Sequence, residues 1–253
     1  MNINGKDYQD IFHLASDMYL SSDYFAKELR RDTLLSFIKK EDEEKYEKIV
    51  KLSLLSLPDD VFVFKASYIL NPFMSLRIKG FCFKDFKELG ETILAFSPNP
   101  NPVLSQLLRY SLLSKHMENT YFQETSKETY EKVLQLEKIS ETQLPYAYFS
   151  LGYYLSGKTT IIYEGKEYQD IFDLTYFLCK QEKDLDSIGA YLSKSPLLKA
   201  YSEYGKNSKK MEEYLHICEE VDKSERKLDE FLNKKKRRKI SEECSVPLIL
   251  DLL

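Results

Sequence analysis

Apolar and polar positions in this chain follow two periods and switch between them three times. Residues 3–14 read INGKDYQDIFHL. An apolar residue precedes a polar-glycine pair, a short alternating stretch ends on Tyr8, and Ile11 and Leu14 then fall at helical spacing. Period-two alternation around a tight turn predicts a hairpin, and i, i+3 apolar spacing predicts a helix. Residues 163–174, YEGKEYQDIFDL, repeat the pattern, with eight of ten positions identical between 5–14 and 165–174. A more diverged copy, IKGFCFKDFKEL, occupies 78–89 and keeps Gly80, Phe83, Asp85, Phe86 and Leu89.

The three copies share one physical grammar. Asn4-Gly5, Lys79-Gly80 and Glu164-Gly165 are polar-glycine pairs of the kind that close a type I′ hairpin, in which both central residues need positive φ. An aromatic follows, and then an aspartate in every copy: Asp10, Asp85 and Asp170. Each sits where a helix begins, and an aspartate there accepts a hydrogen bond from a free backbone N–H of the first turn. A catalytic or metal-binding aspartate set is the competing reading. Capping explains the residue type and its position without further chemistry.

The likeness continues downstream. Paired leucines, Leu34-Leu35, Leu112-Leu113 and Leu197-Leu198, lie 29, 32 and 32 residues after the turn glycines. Aromatic-rich stretches precede the second and third glycines, and the first of these opens on Pro58-Asp59-Asp60 and stops at Asn71-Pro72. The run SPNPNP at 97–102 reads as a loop, and KKEDEEKYEKIVK at 39–51 as a solvated helical face. Met211, Tyr214, Leu215, Cys218, Val221, Leu228, Phe231 and Leu232 predict a C-terminal helix.

The expected fold is therefore mainly α with a minor β component. It comprises three divergent repeats, each a small β-hairpin followed by several short helices, and a C-terminal helix. The expected boundaries are 1–75, 76–158 and 159–232, with a basic tail at 233–253. In the second copy Phe81-Cys82 replaces the Lys-Asp or Lys-Glu pair of the others. This marks a place where a surface became buried or binds something.

Composition narrows the function classes. With 13% aromatic residues and few Gly or Pro, the chain can bury a core and is not a disordered segment. A formal charge of −4 argues against a generic nucleic-acid binder. No secretory leader or membrane-length apolar run is visible, and Cys82, Cys179, Cys218 and Cys244 have no C-x-x-C spacing. The expectation is a cytoplasmic protein with no membrane partner, or a nuclear one in a eukaryotic cell. His13, His116 and His216 lie at non-equivalent positions without metal-ligand spacing, and no catalytic, metal or cofactor set is expected.

Two stretches carry alternative chemistry. GYYLSGKT at 152–159 matches the phosphate-loop pattern G-x-x-x-x-G-K-[ST], in which Gly157, Lys158 and Thr159 would hold a nucleotide phosphate and its magnesium ion. A phosphate loop sits between a strand and a helix, whereas TTIIYEGKEY after this one reads as strand, turn and strand. The second stretch is the uninterrupted basic run Lys234, Lys235, Lys236, Arg237, Arg238, Lys239, which suits phosphate, an acidic partner or an import receptor. The leading reading is a non-enzymatic interaction or scaffold protein with a protein partner, because stacked repeats present extended surfaces. A nucleic-acid accessory factor using the basic run comes second, and a nucleotide-binding protein third.

Overall fold

A computed structural model describes residues 2–3, 5–119, 126–181, 188, 191–192 and 194–204. The described chain is mainly helical, with small two-stranded antiparallel hairpins. The first pairs β1 (Asn2–Ile3) with β2 (Lys6–Asp7), the second β3 (Arg77–Ile78) with β4 (Phe81–Cys82), and the third β5 (Ile161–Tyr163) with β6 (Lys166–Tyr168).

The turns have the backbone their residues call for. Lys79 and Gly80 have φ of 29° and 81°, and Glu164 and Gly165 have 50° and 72°. Positive φ at both central positions is the type I′ signature, whose twist matches that of the flanking strands. The aromatic after each turn, Tyr8, Phe83 or Tyr168, is buried. Phe81 is half-buried beside Phe83, with ring centroids 6.0 Å apart, and Cys82 stays exposed.

Each hairpin feeds a helix: α1 (Ile11–Asp17), α6 (Phe86–Ala95) and, numbered in chain order, α11 (Ile171–Lys180). The Asp10 carboxylate accepts from the backbone N–H groups of Phe12 and His13 at 2.9 and 2.8 Å. That of Asp170 accepts from Phe172 and Asp173 at 2.9 and 3.1 Å. Asp85 accepts from Glu88 N–H at 2.8 Å. In the second and third cases an acid reaches back: Glu88 accepts from Lys84 N–H at 2.7 Å, and Asp173 from Gln169 N–H at 3.2 Å. This reciprocal arrangement satisfies two otherwise orphaned donors. His13 holds the equivalent place in the first copy, with its ring Nδ1 2.8 Å from Asp10. Replacing Asp170 by Ala is expected to cost about 1 kcal/mol, measurable as a lower midpoint in urea unfolding.

The remaining helices are α2 (Ser22–Leu29), α3 (Asp32–Glu41), α4 (Glu43–Ser53), α5 (Asp59–Leu70), α7 (Pro102–Arg109), α8 (Leu112–Asn119), α9 (Lys127–Glu137), α10 (Leu144–Ser156) and α12 (Pro196–Tyr204). The charged stretch 39–51 is not one helix. Asp42 ends α3 in an extended conformation, and its side chain accepts from Lys45 N–H to start α4. A short side-chain acceptor competes with helix continuation, which explains the break. The run at 97–102 is shorter as a loop than the sequence implied, because Asn101 caps α7 and Pro102 is its first residue. Proline suits that position, since its missing N–H would have no helical acceptor there.

The chain packs as two compact units. The first comprises the described residues of 1–88 and 101–139, and the second those of 89–100 and 140–204. In the first, α5 is buried along nearly its whole length and packs against α1, α2 and α4. In the second, α10 has the central place and packs chiefly on α12, with the Tyr153 and Tyr201 rings 5.7 Å apart. Both central helices are predominantly apolar, as expected of elements largely enclosed by their neighbours.

Hairpins dock in a similar way within each unit. Gly80 N–H donates to the Tyr19 carbonyl at 2.8 Å, and Arg77 donates to the Ser16 carbonyl. In the second unit, Glu164 N–H donates to the Ser97 carbonyl at 3.0 Å, and Ser97 donates to the Ile162 carbonyl. In both, a hairpin turn meets backbone just beyond the helix that follows the preceding hairpin.

A lysine-rimmed groove and the candidate functional site

The stretch GYYLSGKT divides into structural roles. Gly152 lies inside α10, and a Cβ there would come 2.6 Å from Ile93 Cγ2. Gly157 ends α10 in the left-handed conformation at φ 66°, a common way for a helix to stop. Lys158 pairs with Glu167 across 3.4 Å, and the Thr160 hydroxyl donates to the same carboxylate at 2.5 Å. Thr159 is exposed. A helix precedes the stretch and β5 follows it, the reverse of the order that points a helix N-terminus at phosphate. The basic run Lys234–Lys239, the expected C-terminal helix, His216, Cys218 and Cys244 lie outside the described residues.

The turn glycines and aspartates have local structural roles. Gly5, Asp10, Gly80 and Asp85 belong to the first unit, and Gly165 and Asp170 to the second, each serving its own hairpin or helix. Among the described residues, no group of three or more His, Cys, Asp or Glu is placed to hold a metal ion. No helix among them is long and apolar enough to cross a membrane.

A further candidate lies in the first unit. Helices α4, α5 and α8, with the link before α8, line an open groove of about 740 Å³. This volume falls in the range of ligand and peptide sites. Its floor is apolar, formed by Leu52, Phe64, Tyr68, Ile69 and Pro72. Phe64 and Tyr68 stack with ring centroids 4.5 Å apart. Phe64–Tyr68 and Lys65–Ile69 are i, i+4 pairs, so α5 presents two adjacent rows to the groove.

The rim is cationic. Lys45 and Lys48 come from α4, Lys65 from α5 and Lys115 from α8, with Asp42 and Glu44 as the acidic lining residues. Lys48 pairs with Glu44 at 2.6 Å, and this bond raises the lysine pKa. Lys115 pairs with Glu118 at 2.9 Å. Lys45 is 3.5 Å from Asp42, donates to the Leu70 carbonyl at 3.1 Å, and lies 4.6 Å from the Phe12 ring centre. Backbone donation from Lys45 holds the Asp42 carboxyl below its usual range. Lys65 is half-buried and makes no ion pair among the described residues.

Beneath the floor, Tyr68 reaches His116. The Tyr68 hydroxyl is 2.8 Å from His116 Nδ1 and 3.3 Å from the Ser75 carbonyl. Tyr68 and Phe86 meet the imidazole edge-on, at centroid distances of 5.4 and 6.0 Å. Burial alone lowers the His116 pKa to about 4, so the ring is neutral at physiological pH. The same burial raises the Tyr68 pKa. This pair braces α5 against α8 from below the groove.

Sequence reasoning did not find the groove, because its lining comes from three helices spread over some seventy positions. One signal was present: Lys45 and Lys48 share a helix face with buried Ile49 and Leu52 close behind, so that face is not purely solvated. Compared with protein-family models, with characterised proteins and with solved structures, the chain matches none.

Proposed function

We propose that the protein is a non-enzymatic interaction module, a scaffold or accessory factor that binds another protein, built from three divergent copies of a hairpin-and-helix unit. The observation that carries this reading is the distribution of exposed apolar side chains in the first unit. Phe12, Leu20, Leu54, Leu55 and Phe73 are 47%, 59%, 80%, 54% and 69% exposed, and all but Leu20 neighbour the groove or its lining residues. Phe12 lies against Lys45 of the groove, Leu54 and Leu55 follow lining residue Leu52 within three positions, and Phe73 follows Pro72 directly. Apolar exposure concentrated around a groove characterises surfaces that receive a partner.

The three-copy construction rests on recurrences at equivalent positions. These are the positive-φ turn, the buried aromatic, the aspartate bonded to the following helix start and the docking of a later hairpin behind an earlier helix. The proposed copies 1–75, 76–158 and 159–232 do not coincide with the two packing units, which divide the second copy between them. Packing on neighbours is how repeats too small to bury a face alone become stable.

Isolation of the tagged full chain from its native cells after mild cross-linking tests the reading. The expected result is one partner protein in constant ratio to the chain. Recovery of the chain alone, or with only sub-stoichiometric contaminants, would contradict it.

A further inference from the structure

We propose that the lysine-rimmed groove of the first unit is the docking site for an acidic amphipathic segment of a partner protein, with apolar side chains on the floor and carboxylates against the rim. This rests on the interaction-module reading and names the chemistry of the partner.

Three observations select that occupant. First, the rim carries four lysines against three carboxylates, Asp42 and Glu44 in the lining and Glu118 on Lys115, which leaves Lys65 uncompensated on a chain whose formal charge is −4. Complementary potential governs encounter and register more than raw affinity, so a partner of opposite sign is favoured there. Second, the cations are spread over α4, α5 and α8, and Lys48 and Lys115 are already paired with Glu44 and Glu118. A single phosphate needs donors gathered around one position, while carboxylates spaced along a helix match charges spaced along a rim. Third, the floor residues Ile69 and Pro72 are only partly buried, and strongly exposed Leu54, Leu55 and Phe73 lie next to lining residues in the chain. An amphipathic helix in a groove buries apolar surface of this kind and keeps its polar face at the rim.

Lys65 has a distinct place in this arrangement. It is the lining lysine for which no described carboxylate compensates, and it extends from the same helix as Phe64, Tyr68 and Ile69. A partner carboxylate over the floor therefore finds a charge that needs no existing ion pair to break.

The test uses the full chain and two labelled helical peptides in fluorescence anisotropy. One has leucines on one face and glutamates on the other, and its twin has lysines in place of the glutamates. The acidic peptide is expected to bind saturably and more weakly as salt rises, and the basic twin not to bind. Reversing two rim charges, Lys65→Glu with Lys115→Glu, is expected to weaken binding of the acidic peptide by at least about tenfold, or 1.4 kcal/mol. Lys65→Gln with Lys115→Gln should weaken it less, and this milder pair provides the comparison if charge reversal unfolds the chain.

Equal binding of the twin, no saturable binding of the acidic peptide, or acidic binding unaffected by either pair would overturn the assignment. Preference for a labelled oligonucleotide over the acidic peptide would overturn it too. The broader reading separates cleanly: a partner captured from cells equally by the wild type and the charge-reversed chain leaves the interaction module standing and removes the groove from it.

Discussion

Gly90→Ala is expected to destabilise the second packing unit by about 2 kcal/mol, although alanine is the better helix former. A Cβ at Gly90 would sit 2.5 Å from Ser156 N, 2.8 Å from Gly152 O and 2.9 Å from Leu155 Cβ. Two of these are backbone atoms of α10, so no side-chain rotation relieves the overlap and α6 must move away. Overpacking of a fitted contact costs about 1–3 kcal/mol, and an overlap this close with fixed backbone lies at the upper end, about 3 kcal/mol. Alanine's helix preference offsets about 1 kcal/mol of this. Gly152→Ala meets mainly side-chain atoms, Ile93 Cγ2 at 2.6 Å and Leu94 Cδ2 at 2.9 Å, which can shift, so it should cost less. Urea unfolding of both variants gives the order. A stabilised Gly90→Ala protein would mean that α6 and α10 do not approach this closely.

Acid should weaken the first unit through His116, which is 6% exposed. Its pKa in the fold is about 4, against an ordinary value of 6.5. Above pH 6.5 both folded and unfolded histidine are neutral, and the residue contributes no pH dependence. Between 6.5 and about 4 the unfolded chain takes up the proton and the folded one does not, so stability falls as pH falls. The full difference comes to about 3 kcal/mol, at about 1.4 kcal/mol per pKa unit.

Glu137 works in the opposite direction. It accepts from Ser114 N–H at 3.0 Å in the first turn of α8, and burial raises its carboxyl pKa. The folded state therefore takes up that proton first, and stability is recovered as pH falls through the raised value. His116→Gln keeps a polar group toward Tyr68 and removes the titration. Melting curves from pH 7 to 4.5 should show a steeper decline for the wild type than for this variant. Parallel curves would mean that His116 titrates normally.

The sequence carried the local devices well and the packing poorly, for physical reasons. Turn glycines, helix-capping aspartates and the stop at Asn71-Pro72 act within a few residues of themselves, so spacing alone exposes them. The break at Asp42 was as local but lay hidden in a mixed-charge run, where a capping aspartate resembles any other surface acid. Gly152 drew attention as part of a phosphate-loop pattern, while its role is the close crossing of two helices sixty residues apart.

A quieter signal marked that crossing. Ala15, Gly90 and Thr175 each stand ten residues after a turn glycine; Ala15 and Thr175 are 1% and 0% exposed, and Gly90 is buried. Small side chains at one repeated position indicate where each first helix meets a neighbour. The groove was not legible at all, since no local pattern brings Lys48, Lys65 and Lys115 together.

Within the decapeptide shared by residues 5–14 and 165–174, the buried members already have folding roles, and Lys6, Gln9, Lys166 and Gln169 are exposed. On the proposed function, this repeated stretch builds the unit and recognition occurs elsewhere. The direct measurement is partner co-purification by the quadruple variant Lys6→Ala, Gln9→Ala, Lys166→Ala, Gln169→Ala, beside its thermal melt. The midpoint is expected within a few degrees of wild type, with the same partner in the same ratio. Loss of the partner with the fold intact would make the repeated stretch itself the binding surface and contradict the claim.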